Sequence, residues 1–353
     1  MDATVEPLVL NASYGEGGSA LLRTALVMAV LTQRPVRLHH VRGGMRKPGL
    51  TAEDLATLRL LGKTSRADLN GDEVGSEEVT FTPRRAPGGL RESLDIFSLD
   101  KGGASGNAVV VAEALIPVLA RAGVYSEITL GGETHNSNTL SFEPFERVTL
   151  EAHRQQGIYA YPRLLSGGFG FGTQGKLALE VEPSVPLGFK WQERGELKRL
   201  HAVIATSELP DEVEGRGASQ ADLLLKENGL SGDIETLRVP SKGPGAYATF
   251  YAEFDNGLGS GACAGQRGMR MEAVVKNAFE AFWEWFSTNA TMDPFLADQI
   301  LIPAALAETP TAFTTNRVTR RLTTMVWVIK QFLPIHITVL GSENQPGTVK
   351  IER

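Results

Sequence analysis

GEGGSALLRTALVMAVLT, residues 15–32, is the stretch on which the fold turns. Three glycines lead into a run whose only charge is Arg23. Such a run reads as a buried helix entered through a tight glycine turn. The start of a helix leaves backbone N–H groups unpaired and presents the positive end of its dipole, which makes an anion site. Arg23, one turn in, needs a partner if it is buried. The alternative is a helix capped by Ser19 whose arginine reaches out to water.

Outward from this helix, VRLHHV (36–41) alternates as a strand does, and AEDLATLRLLG (52–62) has apolar residues at helical spacing. Glu53 and Asp54 fall in its first turn and Gly62 marks its expected stop. EEVTFTP (77–83) closes the unit as a strand. A similar order returns from 102 to 183 and again from 269 to the end, so the chain reads as α/β (α+β), with three copies of one unit. Residues 184–266 differ in character and are expected to form a small inserted α/β domain, leaving 1–183 and 267–353 as the repeat body.

The chain has 353 residues, 42% of them hydrophobic, and a formal net charge of -6. That composition is ordinary for a soluble globular protein and gives no broad nucleic-acid-binding face. Phosphate binding must therefore come from a local pocket. A single cysteine, Cys263, excludes an internal disulfide and a cysteine zinc site, and fits a reducing, cytoplasmic setting. The N-terminus lacks the basic segment of a secretory signal. The apolar run 108–120 is interrupted by Glu113 and falls short of the roughly 20 residues a bilayer requires, so no membrane span is expected.

Four places could carry chemistry. Glu16 and Arg23 belong to the glycine-rich helix entry. Arg42, Arg46 and Lys47 crowd a Gly/Pro loop, which suits a polyphosphate or nucleic-acid end but equally a solvated basic turn. Asp298 and Gln299 are adjacent in an apolar helix, facing either a ligand or water. TNRVTRRLTT (315–324) packs Arg317, Arg320 and Arg321 together, with no Asp or Glu between Thr309 and Ser342. The histidines form no metal pattern, and His135 in GGETHN is the loop histidine expected nearest a site. No P-loop and no GxSxG elbow is present.

GEGGSALLR (15–23), VRGGMRKPGL (41–50), VGSEEVTFTP (74–83), GGETH (131–135), QERG (192–195) and FLADQILIPAALA (295–307) together resemble the RNA 3′-terminal phosphate cyclase family over nearly the whole chain. The resemblance implies three βαβαββ-like repeats with a small inserted α/β domain. It also implies ATP and a divalent metal (Mg or Mn) acting on an RNA 3′-phosphate to give a 2′,3′-cyclic phosphate. A histidine of the family attacks the α-phosphate and carries AMP covalently.

Carried over by motif, Glu16 and Arg23 match the first element, with Glu16 a place for the metal. Arg42 and Lys47 match the second, and Asp298 and Gln299 the third. The chain departs from the pattern at several of these places. Met45 stands at the second cation of the loop, with Arg46 one place on. Glu53-Asp54 replaces a Gln-His pair, Phe295 replaces a tyrosine, and GGFGFGTQG (167–175) replaces a Tyr-Pro and glycine triplet. Counting back from FLP (332–334) puts Arg321 at the attacking histidine's place, and the fifteen residues before Phe332 contain no histidine. Three functions stay open: the cyclase reaction on RNA ends, a non-catalytic paralogue that binds nucleotide, an RNA end or a protein partner in RNA processing or ribosome assembly, and an enolpyruvyl-transferase-like enzyme on a phosphorylated small molecule.

Overall fold

The computed structural model describes residues 6–100, 106–137, 139–170 and 174–352. Residues 102–105 of the second glycine-rich helix entry and 171–173 of GGFGFGTQG lie outside them. In the first unit β1 (Leu8–Asn11) runs parallel to β2 (Val36–His39), and α1 (Ser19–Thr32) makes the crossover that parallel neighbours require. After α2 (Ala52–Ser65), β3 (Asp68–Asn70) and β4 (Glu78–Thr82) return antiparallel, giving the order β1-β2-β4-β3. Helix α2 continues through Gly62, the expected stop, and ends at Arg66, which takes the left-handed conformation at φ 49°. Its start is a capping box: Thr51 accepts from the Asp54 N–H, and Asp54 accepts from the Thr51 N–H.

The second unit repeats the plan. β5 (Arg91–Asp95), α3 (Ala108–Ala120) and β6 (Ser126–Gly132) come first. A helical link of α4 (Phe142–Pro144), a π turn at Phe145–Thr149 and α5 (Leu150–Gln155) follows, then β7 (Ala160–Ser166) and β8 (Gly175–Val181). The order is β5-β6-β8-β7, again with one parallel and two antiparallel pairings. β9 (Lys190–Trp191) opens the third unit, which is then interrupted by β10 (Leu197–Ser207), α6 (Asp211–Glu227), β11 (Asp233–Arg238), β12 (Gly245–Phe254), β13 (Gly257–Ala264) and α7 (Met271–Phe286). It resumes with α8 (Pro294–Gln299), α9 (Leu301–Leu306), β14 (Thr311–Thr315), α10 (Arg320–Phe332), β15 (His336–Leu340) and β16 (Gly347–Glu352). Its sheet, β15-β16-β14-β9, is the same order read from the other edge.

The interruption sits elsewhere than the 184–266 that composition suggests. β9 pairs in parallel with β14 and so belongs to the third repeat. Helix α7, expected in that repeat, instead packs on the inserted sheet β11-β10-β12-β13. Val274, Ala278, Phe279, Phe282 and Trp285 share a core with Leu200, Ile204 and Phe250, apart from the larger core that runs through the three repeats. Helical periodicity reveals an apolar face without revealing which sheet it covers. Contact here is close: a side-chain carbon at Gly261 of β13 would lie 2.0 Å from the Phe282 backbone nitrogen. Arg194 of the QERG stretch fastens this unit, donating to the carbonyls of Phe286 and Ala290 and stacking 4.4 Å from the rings of Phe254 and Trp285. Among the described residues no helix is long and apolar enough to cross a membrane.

Because Phe282 is fully buried in the smaller core, Phe282→Ala is expected to cost about 3–5 kcal/mol. Limited proteolysis of this variant should cut first within β10 to α7, while the three-repeat body resists.

Candidate functional site

The helix that follows the first strand of each unit points one polar side chain to a common place. These are Arg23 on α1, Glu113 on α3 and Gln299 on α8. Together with Arg321 of α10 they line a cavity of about 310 Å³, and the same four line a smaller one of about 30 Å³. The larger cavity is otherwise walled mainly by apolar and small polar residues, among them Leu140, Val148, Trp285 and the 57% exposed Phe295. Helix α1 touches α2, α3 and α10, so its one charged residue falls where the repeats meet.

Each of these arginines is held by a carboxylate. Arg23 donates from Nη1 to Glu53 Oε1 at 2.9 Å and lies 3.6 Å from Asp54. Glu53 then accepts, at 3.0 Å, from the backbone N–H of Asn107 at the start of α3, tying the first unit to the second. Asp54 is wholly buried and accepts from Ser19, from Thr51 and from the Thr51 backbone. Ser19 is thus turned toward Asp54 and does not cap α1, whose N-cap is Gly18 without a side-chain bond. Arg321 Nε lies 3.1 Å from Asp298 Oδ2, close in distance though not aligned as a hydrogen bond. Gln299, next along α8, accepts from Thr149 at 2.5 Å.

The arginine cluster at 317–321 is neutralised in the same way. Arg317 lies 3.7 Å from Glu284, Arg320 3.3 Å from Glu343, and Arg321 pairs with Asp298. The acids missing from Thr309 to Ser342 come from other elements, so the cluster is not a free basic patch.

The loop cations take different places. Arg42, at φ 52°, donates from Nη1 to the carbonyls of Lys47 and Gly49 and lies 3.8 Å from Asp54, so it closes its own loop. Arg46 and Lys47 are exposed and do not line the cavity. Glu16 does not line either cavity. Its backbone N–H donates to Thr324 Oγ1 at 2.9 Å, and a side-chain carbon at Gly15 would lie 2.1 Å from that same oxygen, so the glycine loop rests directly on α10. His135 is fully buried, hydrogen-bonded to Glu143 and Thr134 and stacked on Phe169. It is a packing residue. Glu113 is a cavity residue that sequence inspection registers only as a flaw in an apolar run.

Burial dominates the electrostatics. It pushes the carboxyl groups of Asp298 and Glu113 up to about 7, against the pull of Arg321 on both. Glu53 is raised too, by burial more than Arg23 lowers it. Around the cavity, Arg23, Arg317 and Arg321 stand against Glu113, Glu284 and Asp293 in the lining and Glu53, Asp54 and Asp298 just behind. These three cations are outnumbered by acid groups, of which burial raises Glu53, Glu113, Asp293 and Asp298 toward their neutral forms. Among the described residues Glu16 Oε2 is buried without a hydrogen-bond partner, and the neighbouring Asp298 is paired with Arg321. Among the described residues no group of three or more His, Cys, Asp or Glu is placed to hold an ion.

The architecture is thus three α/β repeats with an insert in the third and a cavity where their helices converge. Residues 14–339 match the sequence profile of RNA 3′-terminal phosphate cyclase. The chain belongs to that family. Proteins named RNA 3′-terminal phosphate cyclase from Nostoc punctiforme and Trichormus variabilis are each 34% identical to it, over 92% and 95% of this chain and 93% and 96% of their own. A solved structure, the enolpyruvyl transferase NikO from Streptomyces tendae, superposes with a TM-score of 0.39 at 12% identity, covering 98% of this chain and 48% of that one. A likeness that slight bears on neither fold nor chemistry.

Asp298 and Glu113 bind protons more readily in the folded chain than their ordinary values of 3.8 and 4.5 allow when unfolded. Their contribution to stability is therefore greatest in acid, falls as pH rises from about 4 to about 7, and levels off above. The melting temperature should drop between pH 5.5 and pH 8, and Glu113→Gln should flatten that drop. Arg321→Ala removes the cation that lowers Asp298, so the fall should extend above pH 7 and cost about 2 kcal/mol at pH 8.

Proposed function

We propose that this chain is a family member that holds an RNA 3′ end in the cavity between its repeats without forming a covalent adenylate. One observation carries the proposal: Arg321, at the place the family resemblance assigns to the attacking histidine, is paired with the buried Asp298 at 3.1 Å. A guanidinium stays protonated, with a pKa above about 12, and offers phosphorus no lone pair. Imidazole is suited to that attack because it is neutral and nucleophilic near pH 7.

The crowding of carboxylates supports the same conclusion from the side of the nucleotide. ATP would bring its negative charge to a site whose arginines are already engaged. An RNA end asks less of the site, because its terminal sugar and base can rest on the apolar and aromatic walls while the preceding phosphates stay outside. The exposed Arg46 and Lys47 are candidates to meet those phosphates, since surface cations give salt-sensitive, sequence-independent contact. In this proposal Arg23, Gln299 and Arg321 border the bound end, Arg42 shapes the loop, and Glu16 and Asp298 support the wall.

Two assays test this. Incubation with ATP labelled at the α-phosphate, with Mg or Mn, should leave no AMP on the protein and no cyclic end on a 3′-phosphorylated oligonucleotide. The same protein should bind a single-stranded oligoribonucleotide, with affinity that falls as salt rises and weakens when Arg46 and Lys47 are both changed to Ala. An AMP adduct on the protein would overturn the proposal.

A further inference from the structure

Tyr14 stands just ahead of the GEGG turn, and its ring stacks on Trp327 of α10, with centroids 4.2 Å apart and an interplanar angle of 27°. Tyr14 nevertheless remains 47% exposed. The indole covers one face of its ring, so the exposure belongs to the other face and the hydroxyl edge. Its loop is already seated on α10 where Glu16 and Gly15 meet Thr324. A ring braced from behind and open in front has the form of a platform on which a base can stack.

The surroundings of this platform are cationic. The Gly44 N–H donates to the Gly17 carbonyl at 3.0 Å, and a side-chain carbon at Gly43 would lie 2.9 Å from Ser13 Cβ. The loop of Tyr14 and the loop of the exposed Arg46 and Lys47 are therefore pressed together. On the helix side, Lys330 is exposed one turn beyond Trp327, and Arg34 donates to the carbonyl of Gln331. Helix α10 itself contains no acid. Trp327 follows Arg321 and Thr324 at three-residue steps, which puts the platform roughly 9 Å along the helix from the cavity wall at Arg321. A strand whose end lies in the cavity would pass this point within its first few nucleotides.

We infer that Tyr14, braced by Trp327, stacks an unpaired base of the RNA just outside the cavity, while Arg46 and Lys47 take the phosphates beside it. The inference rests on the proposal that the cavity holds an RNA 3′ end, and it adds the contact that grips the strand behind that end. The cations favour a nucleic acid as occupant, and stacking tolerates any sequence because every base has a π-face.

The test is fluorescence anisotropy on the intact chain with 5′-labelled oligoribonucleotides of one sequence, either complete or carrying one abasic ribose at successive positions from the 3′ end. An abasic ribose at the stacked position should cost at least about fivefold in affinity, as loss of a base–aromatic stack does. Tyr14→Ala should lose as much with the complete strand and should no longer respond to the abasic position, whereas Tyr14→Phe should bind as the unaltered chain does. The loss in Tyr14→Ala should persist at higher salt, where the loss from changing Arg46 and Lys47 shrinks. If Tyr14 only supports its loop, Tyr14→Ala would weaken complete and abasic strands alike, and the inference is overturned. It is overturned too if no abasic position matters to the unaltered chain, a result that leaves RNA-end binding intact. Failure of the unaltered chain to bind any of the strands would instead overturn RNA-end recognition, and this inference with it.

Discussion

Burial drives the carboxyl of Asp298, only 1% exposed, toward its neutral form, and the Arg321 guanidinium 3.1 Å away pulls it back toward charge. The same constraint governs the rest of the site. Arg23 enters the interior on an apolar helix and is matched by Glu53 and Asp54. Those two acids in turn hold the start of α2 and the start of α3. The charges are thus a framework linking the repeats, and the cavity is the space left between them.

This framework separates ancestry from chemistry. The sequence match places the chain in the cyclase family, and its three sheets share one strand order with an insert after the first strand of the third. Fold alone leaves the reaction open, because chemistry resides in particular side chains. Here those side chains form closed ion pairs. A positively charged phosphate cradle needs arginines whose partners are absent until the ligand arrives, and these arginines already have theirs.

Much of this was legible in the sequence. The apolar run after GEGG predicts α1 over its full length, and the recurrence of that pattern predicts the repeats. Arg23 announces its need of a partner by being the only charge on a buried helix. Other features depend on pairings that no local pattern encodes. The apolar face of α7 is plain, but only the fold shows that it covers the inserted sheet. Arg42 in a basic loop looks available to a ligand, whereas its left-handed backbone turns it back onto the loop's own carbonyls. Glu113 was hidden because a lone acid in an apolar helix signals a wet edge as readily as a cavity. The arginines of TNRVTRRLTT suggest a basic patch because their acids lie in α7, in α8 and at Glu343.

The claim on which all else stands is that Arg321 is bound to Asp298 as a structural pair and is not held free for a ligand. A double-mutant cycle measures it directly, using Arg321→Met, Asp298→Asn and the combined variant in urea unfolding at pH 8. A true pair should show a coupling of at least about 1 kcal/mol, with the double variant more stable than the two single losses predict. Effects that add to within about 0.5 kcal/mol would mean that Arg321 and Asp298 are independent, and would contradict the account.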